Sequence, residues 1–219
     1  MKTLSIKVRH FCQFLVLALL ATACSEQPEQ FTEGTHFKQY LNILNDQVSL
    51  QPELASADVI EFFTYGCPHC QAFAPSLDKW HSQNKGVGIA YVPVVWDEIT
   101  EMHAKLYYLI KDHLSADAIH HELFDLINGF SRTDSLEDQK VQIIVFLASK
   151  GIQAKDVVTA LNTSQYDMQT ASSVMLTKRY EITGTPSLVV NKQYKILNSA
   201  LKTHDEMLKV VNELLENKG

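Results

Sequence analysis

About a third of the way along the chain, Cys67-Pro68-His69-Cys70 follows an apolar, β-prone run, Val59-Ile60-Glu61-Phe62-Phe63, with Gly66 in between. A short run of this kind reads as a buried central strand, here with one acid inside it. Gly66 breaks the strand, and Pro68 suits the first turn of a helix, where a missing N–H costs nothing. The helix is expected to continue through Leu77 and Trp80, kinked at Pro75. Two cysteines at i and i+3 on such a helix start fall on one face, close enough to pair.

The chemistry of the pair follows from its placement. At a helix N-terminus the unpaired N–H groups and the macrodipole stabilise a thiolate, which is the form that attacks a disulfide. Cys67 is therefore the candidate nucleophile, and Cys70, one turn inside, would resolve the mixed disulfide. His69 lies between them and offers Cys67 a hydrogen bond or a positive charge. A more stable thiolate stabilises the reduced form, so the disulfide becomes a stronger oxidant. Other uses of the pair fit less well. Zinc needs two further ligands, yet there is no second CxxC; the nine histidines are scattered, and His120-His121 sit on an expected helix. Covalent haem attachment needs a histidine at position 71, which is Gln71. A purely structural disulfide across so small a loop gains little unfolded-state entropy. No metal and no bound cofactor are expected; the redox group is the Cys67–Cys70 disulfide itself.

Around the motif, the coarse reading places an edge strand over Phe37–Leu44 and a second buried strand over Gly88–Trp96. Helical periodicity then runs from Thr100 to about Ser164, with breaks at Gly129 and Gly151, and a further helix covers Asp167–Tyr180. Ser187–Val190 and Tyr194–Leu197 read as a hairpin, and Thr203 with Glu206 as a capping box opening a final amphipathic helix. This order predicts an α/β, thioredoxin-like fold with an inserted helical domain. Its parts are 36–97 with the CPHC motif, the insert 98–166, and 167–219 with Gly184-Thr185-Pro186 and the closing helix.

The N-terminus carries a separate signal. Lys2, Lys7 and Arg9 precede the apolar run Phe11–Thr22, the layout of a secretory signal peptide over residues 1–23. Ala21-Thr22-Ala23-Cys24 resembles a lipoprotein processing site in which Cys24 is acylated, although position 21 lacks the usual leucine; Ala21-Thr22-Ala23 also fits the general signal peptidase, which would release a soluble form. Residues 24–35, polar and containing Pro28 and Gly34, read as a tether. Removing residues 1–23 takes away three of the 19 basic side chains and none of the 25 acidic ones, so the formal charge falls from −6 to −9. That balance argues against a nucleic-acid partner.

Glu61-Phe62-Phe63, the CPHC motif and Gly184-Thr185-Pro186 together resemble the DsbA-type periplasmic thiol–disulfide oxidoreductases, over most of residues 31–219. The resemblance implies that Pro186 is a cis-proline beside the disulfide and that the Thr185 backbone pairs with an extended substrate. It also implies that Glu61 is a buried acid accepting the Cys70 proton. Relatives often give that acid a lysine on the neighbouring strand; Gly88–Trp96 has none, so burial should raise the Glu61 pKa. Two departures stand out. Thr185 replaces the valine of strongly oxidising members and is more typical of isomerases, and the helix after the motif, QAFAPSL, lacks the acids of some relatives. The stretch before the first catalytic strand leaves no room for an isomerase dimerisation domain, so a monomer is expected. The implied function is an exported oxidase that passes its disulfide to folding proteins with free thiols and is reoxidised by a DsbB-type membrane partner. The competing readings are a reductase or isomerase of the same fold, and a lipid-anchored thiol-binding adaptor or redox sensor without turnover.

Overall fold

The computed structural model describes residues 31–40, 52–113, 117–131 and 133–216. The expectations for residues 1–23, Cys24 and positions 41–44 of the first strand lie outside this range. Within it, five strands form one sheet: β1 (Phe37–Gln39), β2 (Val59–Phe63), β3 (Ile89–Pro93), β4 (Ser187–Val190) and β5 (Tyr194–Ile196), in the order β1-β5-β4-β2-β3. β2 runs parallel to β3 and antiparallel to β4, placing Glu61 between Tyr91 and Leu188. All five residues of β2 are buried, as a central strand covered on both faces requires.

The helices are α1 (Glu53–Ser56), α2 (Pro68–Gln83), α3 (Glu98–His113), α4 (Asp117–Asn128), α5 (Leu136–Ser149), α6 (Ala154–Asn162), α7 (Asp167–Arg179) and α8 (His204–Glu216). α3 to α7 all fall between β3 and β4, so the thioredoxin-like sheet with a helical region inserted in it is the fold the sequence order implied. Alternation along β2 sends Ile60 and Phe62 to one face, where they meet Leu54, Leu176 and Tyr180. Val59, Glu61 and Phe63 take the other. There Val59 packs with Phe73, Leu77 and Trp80 of α2 and with Met207, Leu208, Val211 and Leu214 of α8. Phe63 belongs to a third cluster, shared with Leu106, Tyr107, Leu123 and Phe124 of the insert. The motif therefore sits where sheet, α2 and insert meet.

Three local expectations need correction. Phe31–Thr35 is docked rather than a free tether: the Phe31 N–H donates to the Glu213 carboxylate at 3.2 Å, its ring packs on the α8 cluster, and Gly34 turns the chain at φ +80°. β3 and β5 are shorter than read, ending at Pro93 and Ile196. The capping box at α8 is half formed. The Glu206 N–H donates to Thr203 Oγ1 at 3.1 Å, but the Glu206 carboxylate accepts from the Lys202 N–H, one residue early. Among the described residues no helix is long and apolar enough to cross a membrane.

Candidate active site

Cys67 is the N-cap of α2, with extended backbone (φ −103°, ψ 108°), and Pro68 occupies the first helical position. The cap geometry brings the Cys70 N–H to 3.3 Å from Cys67 Sγ. A sulfur thus takes the place of the usual capping oxygen, and the helix's first orphan donors converge on it. Both thiols are free in this structure.

The two cysteines experience opposite environments. The Cys70 thiol's hydrogen bond, foremost, holds the Cys67 pKa well below the ordinary thiol range; the Thr185 hydroxyl and the backbone N–H groups of Cys70 and His69 add to this against a desolvation cost. Cys67 Sγ also lies 3.4 Å from the Thr185 carbonyl oxygen, to which its thiol donates when protonated. Burial pushes the Cys70 thiol far up, aided by its bond to Cys67 and by the charge of Glu61. One sulfur is an anion at neutral pH and the other keeps its proton. That is the division of labour that nucleophilic attack and later resolution require.

Glu61 is buried at 1% exposure beneath α2, and its Oε2 has no hydrogen-bond partner among the described residues. Desolvation, then the charges of Asp78 and Cys67, push its pKa up to about 8. A carboxyl in that range exchanges a proton near neutral pH, and the electrostatic coupling to Cys70 makes it a candidate acceptor. His69 is solvent-exposed, and its backbone N–H donates to Cys67. Pro68 is likewise exposed at the helix start.

The Thr185–Pro186 peptide bond is cis. The loop is braced on both sides: Asn198 Nδ2 donates to the Pro186 carbonyl at 2.7 Å and Ser187 Oγ to the Gly184 carbonyl at 2.7 Å. The structure therefore brings together Cys67, Cys70, Thr185 and Glu61, drawn from the start of α2, the loop before β4 and the middle of β2.

Sequence reasoning passed over the residues behind the motif. Thr64 Oγ1 is 3.1 Å from His103 Nδ1, and the Tyr65 hydroxyl is 3.1 Å from His120 Nδ1. Both histidines are buried, and desolvation lowers their pKa values to about 4 and about 3. The available signal was positional: each sits on the apolar face of its helix, His103 beside Met102 and Leu106, His120 beside Ile119 and Leu123.

A family model described as the DSBA-like thioredoxin domain matches residues 58–209. Among curated proteins, the thiol:disulfide interchange protein DsbA of Burkholderia cepacia is 28% identical over 163 residues, covering 74% of each chain. That of Pseudomonas aeruginosa is 25% identical over 154 residues, covering 68% of this chain and 69% of its own. Among solved structures, DsbA from Xylella fastidiosa superposes with a TM-score of 0.71 at 21% identity, over 86% of this chain and 97% of that one. The Pseudomonas aeruginosa DsbA structure gives 0.68 at 24%, over 86% and 94%.

Proposed function

Because the chain belongs to the DSBA-like thioredoxin domain family, we propose that it is a thiol:disulfide oxidoreductase acting as a protein dithiol oxidase. The observation that carries this reading is the asymmetry of the pair: a thiolate at Cys67, hydrogen-bonded by its neighbours, beside a protonated Cys70. In the forward reaction a client thiolate attacks Cys67 Sγ of the Cys67–Cys70 disulfide, and the electron pair of the broken S–S bond goes to Cys70, which takes up a proton. A second client thiolate then attacks the client sulfur of the mixed disulfide and expels Cys67 as its thiolate. The client loses two electrons and two protons; the enzyme's disulfide gains the electrons. The interactions that favour the Cys67 thiolate stabilise the reduced enzyme and so drive transfer towards the client. Glu61 serves as the proton relay for Cys70, Thr185 and Pro186 form the edge that receives the client backbone, and His69 lends its N–H to the thiolate.

Clients are exported proteins with free thiols, and a quinone-linked membrane protein of the DsbB type restores the disulfide. No other redox group is required, and one chain carries the whole site. The compartment is the periplasm, with residues 1–23 removed and Cys24 acylated as an anchor; palmitate labelling that vanishes in Cys24→Ser tests the anchor. The redox state in intact cells, trapped by alkylation, tests the direction. A mostly oxidised Cys67–Cys70 pair supports the oxidase, and a mostly reduced one sinks it in favour of a reductase or isomerase. Turnover of a reduced dithiol peptide, absent in Cys67→Ser, separates either enzyme from a binding adaptor.

A further inference from the structure

The β2 ladder ends at Phe63, paired with Pro93, and α2 begins at Pro68. The link between them, Thr64 to Cys67, is closed by one main-chain hydrogen bond, from the Cys67 N–H to the Thr64 carbonyl at 3.1 Å. Beyond that bond and the contacts of Sγ with the Cys70 N–H and the Thr185 carbonyl, side-chain contacts fix the turn that carries Cys67. Those contacts come from the insert. His103 of α3 reaches Thr64 Oγ1 through Nδ1 at 3.1 Å, and its Cε1 would lie only 3.2 Å from a Cβ added at Gly66. One ring therefore hydrogen-bonds the residue at i and fills the space a side chain would need at i+2 of the turn that ends in Cys67. Tyr65, between them, is held from another direction by His120 and by Asn128 Nδ2, which donates to the Tyr65 carbonyl at 2.9 Å.

We propose that His103 is a positioning residue for Cys67: through Thr64 Oγ1 and the face of Gly66 it fixes the turn that holds the sulfur on the α2 N-terminus. The inserted helices then set the reactivity of a thiol carried by the thioredoxin-like part. This rests on the reading of Cys67 as the attacking thiol. The mechanism is indirect. His103 does not touch sulfur; it holds the hydroxyl of Thr64, the residue whose carbonyl accepts the Cys67 N–H. When that restraint is lost, Sγ drifts from the Cys70 and His69 N–H groups, the thiolate is less well stabilised and the disulfide becomes a weaker oxidant.

The test uses the whole chain and two readouts that general packing does not move: thiolate titration of Cys67 by ultraviolet absorbance, and the equilibrium constant against glutathione. Thr64→Val keeps the shape and removes only the hydroxyl; His103→Leu removes the ring nitrogen; His103→Asn returns an amide atom near the place of Nδ1. Thr64→Val and His103→Leu are each expected to weaken the Cys67 thiolate and to lower the oxidising equilibrium constant about tenfold. His103→Asn should recover most of that loss. The double variant Thr64→Val/His103→Leu should be no worse than the poorer single, because both cut one link. Should His103→Leu fail to fold, the isosteric Thr64→Val decides alone. Titration and equilibrium within twofold of wild type in folded variants, with only the melting temperature altered, would overturn the proposal. Loss of client oxidation in a wild-type protein that titrates as expected would strike the oxidase reading and leave the coupling to His103 intact.

Discussion

The two sides of the active-site turn bury titratable groups with opposite consequences. Beneath α2, Glu61 is sealed in an apolar layer with one oxygen unpartnered and favours its neutral form until about pH 8. On the insert side, His103 and His120 each share a hydrogen bond with a hydroxyl and remain neutral down to about pH 4 and about pH 3. An acid that resists ionisation from below and bases that resist it from above leave an interior uncharged across the middle of the pH range. Among the described residues of that interior, the Cys67 thiolate is the group that ionises. Burial does not itself set the direction of pH sensitivity; the chemistry of the buried group does.

Linkage gives the sign on each side. Between about pH 4.5 and 8 native Glu61 holds a proton that the unfolded chain has released, so stability from this group is complete below 4.5 and is lost as pH rises through 8. At about 1.4 kcal/mol per pH unit the span is on the order of 3–5 kcal/mol. Glu61→Gln, uncharged at every pH, should abolish that alkaline decline and melt above wild type at pH 9. The comparison belongs to the disulfide form, in which neither cysteine titrates. There the contribution of the Cys67 charge to the Glu61 shift, the smallest of the three, is absent and desolvation, the largest, remains. A wild-type protein whose stability is flat from pH 6.5 to 9 would show Glu61 to be solvated or paired. The same substitution should slow the release of clients resolved by Cys70 by about two orders of magnitude, the lower end of the usual worth of a positioned proton acceptor.

The histidines run the other way. Their folded values lie below the ordinary 6.5, so the stability they contribute is complete above 6.5 and is lost as pH falls through about 4 and about 3. His120→Phe suits the ring cluster of Phe63, Tyr65, Tyr91 and Phe124 around it. It leaves the Tyr65 hydroxyl without its partner, at a cost of about 1–3 kcal/mol. The variant should therefore melt below wild type at pH 7, with the gap narrowing or reversing at pH 4. A constant gap between pH 7 and 4, by thermal melts in matched buffers, would remove His120 from the acid limb.

How much of this was legible beforehand differed between the two sides as well. The strand, the cysteines and Thr185-Pro186 are marked by local chemistry: an apolar run, a proline at a helix start, a capping position, a spacing of three. Glu61 announced itself as an acid within an apolar run, and alternation along β2 explains why it faces α2. His103 and His120 had no such mark. A histidine on the apolar face of a helix becomes informative only when the element it packs against is known, and that partner is 39 and 55 residues away in sequence. Docking of Phe31 on Glu213 is a still longer contact, and it makes residues 31–35 of the apparent tether part of the body. Shorter strands than expected follow from the same limit. Pairing ends where the partner strand ends, which hydropathy along one strand does not record.

The smallest expected effect concerns Thr185, on the exposed side of the sulfurs. Its hydroxyl lowers both cysteines, yet for Cys67 it ranks behind the Cys70 thiol, and its carbonyl contact to Cys67 survives any side-chain change. Thr185→Val removes one donor among several from a thiolate that keeps its helix N-terminus. The Asn198 and Ser187 braces engage the backbone oxygens of Pro186 and Gly184, so the loop should hold its shape. A two- to fivefold fall in the oxidising equilibrium constant against glutathione is expected, opposite in sign to what the valine of strongly oxidising members implies and below the tenfold, or about 30 mV, expected of Thr64→Val. If Thr185→Val instead outweighs Thr64→Val, control of the sulfur lies with the loop before β4 rather than with the insert.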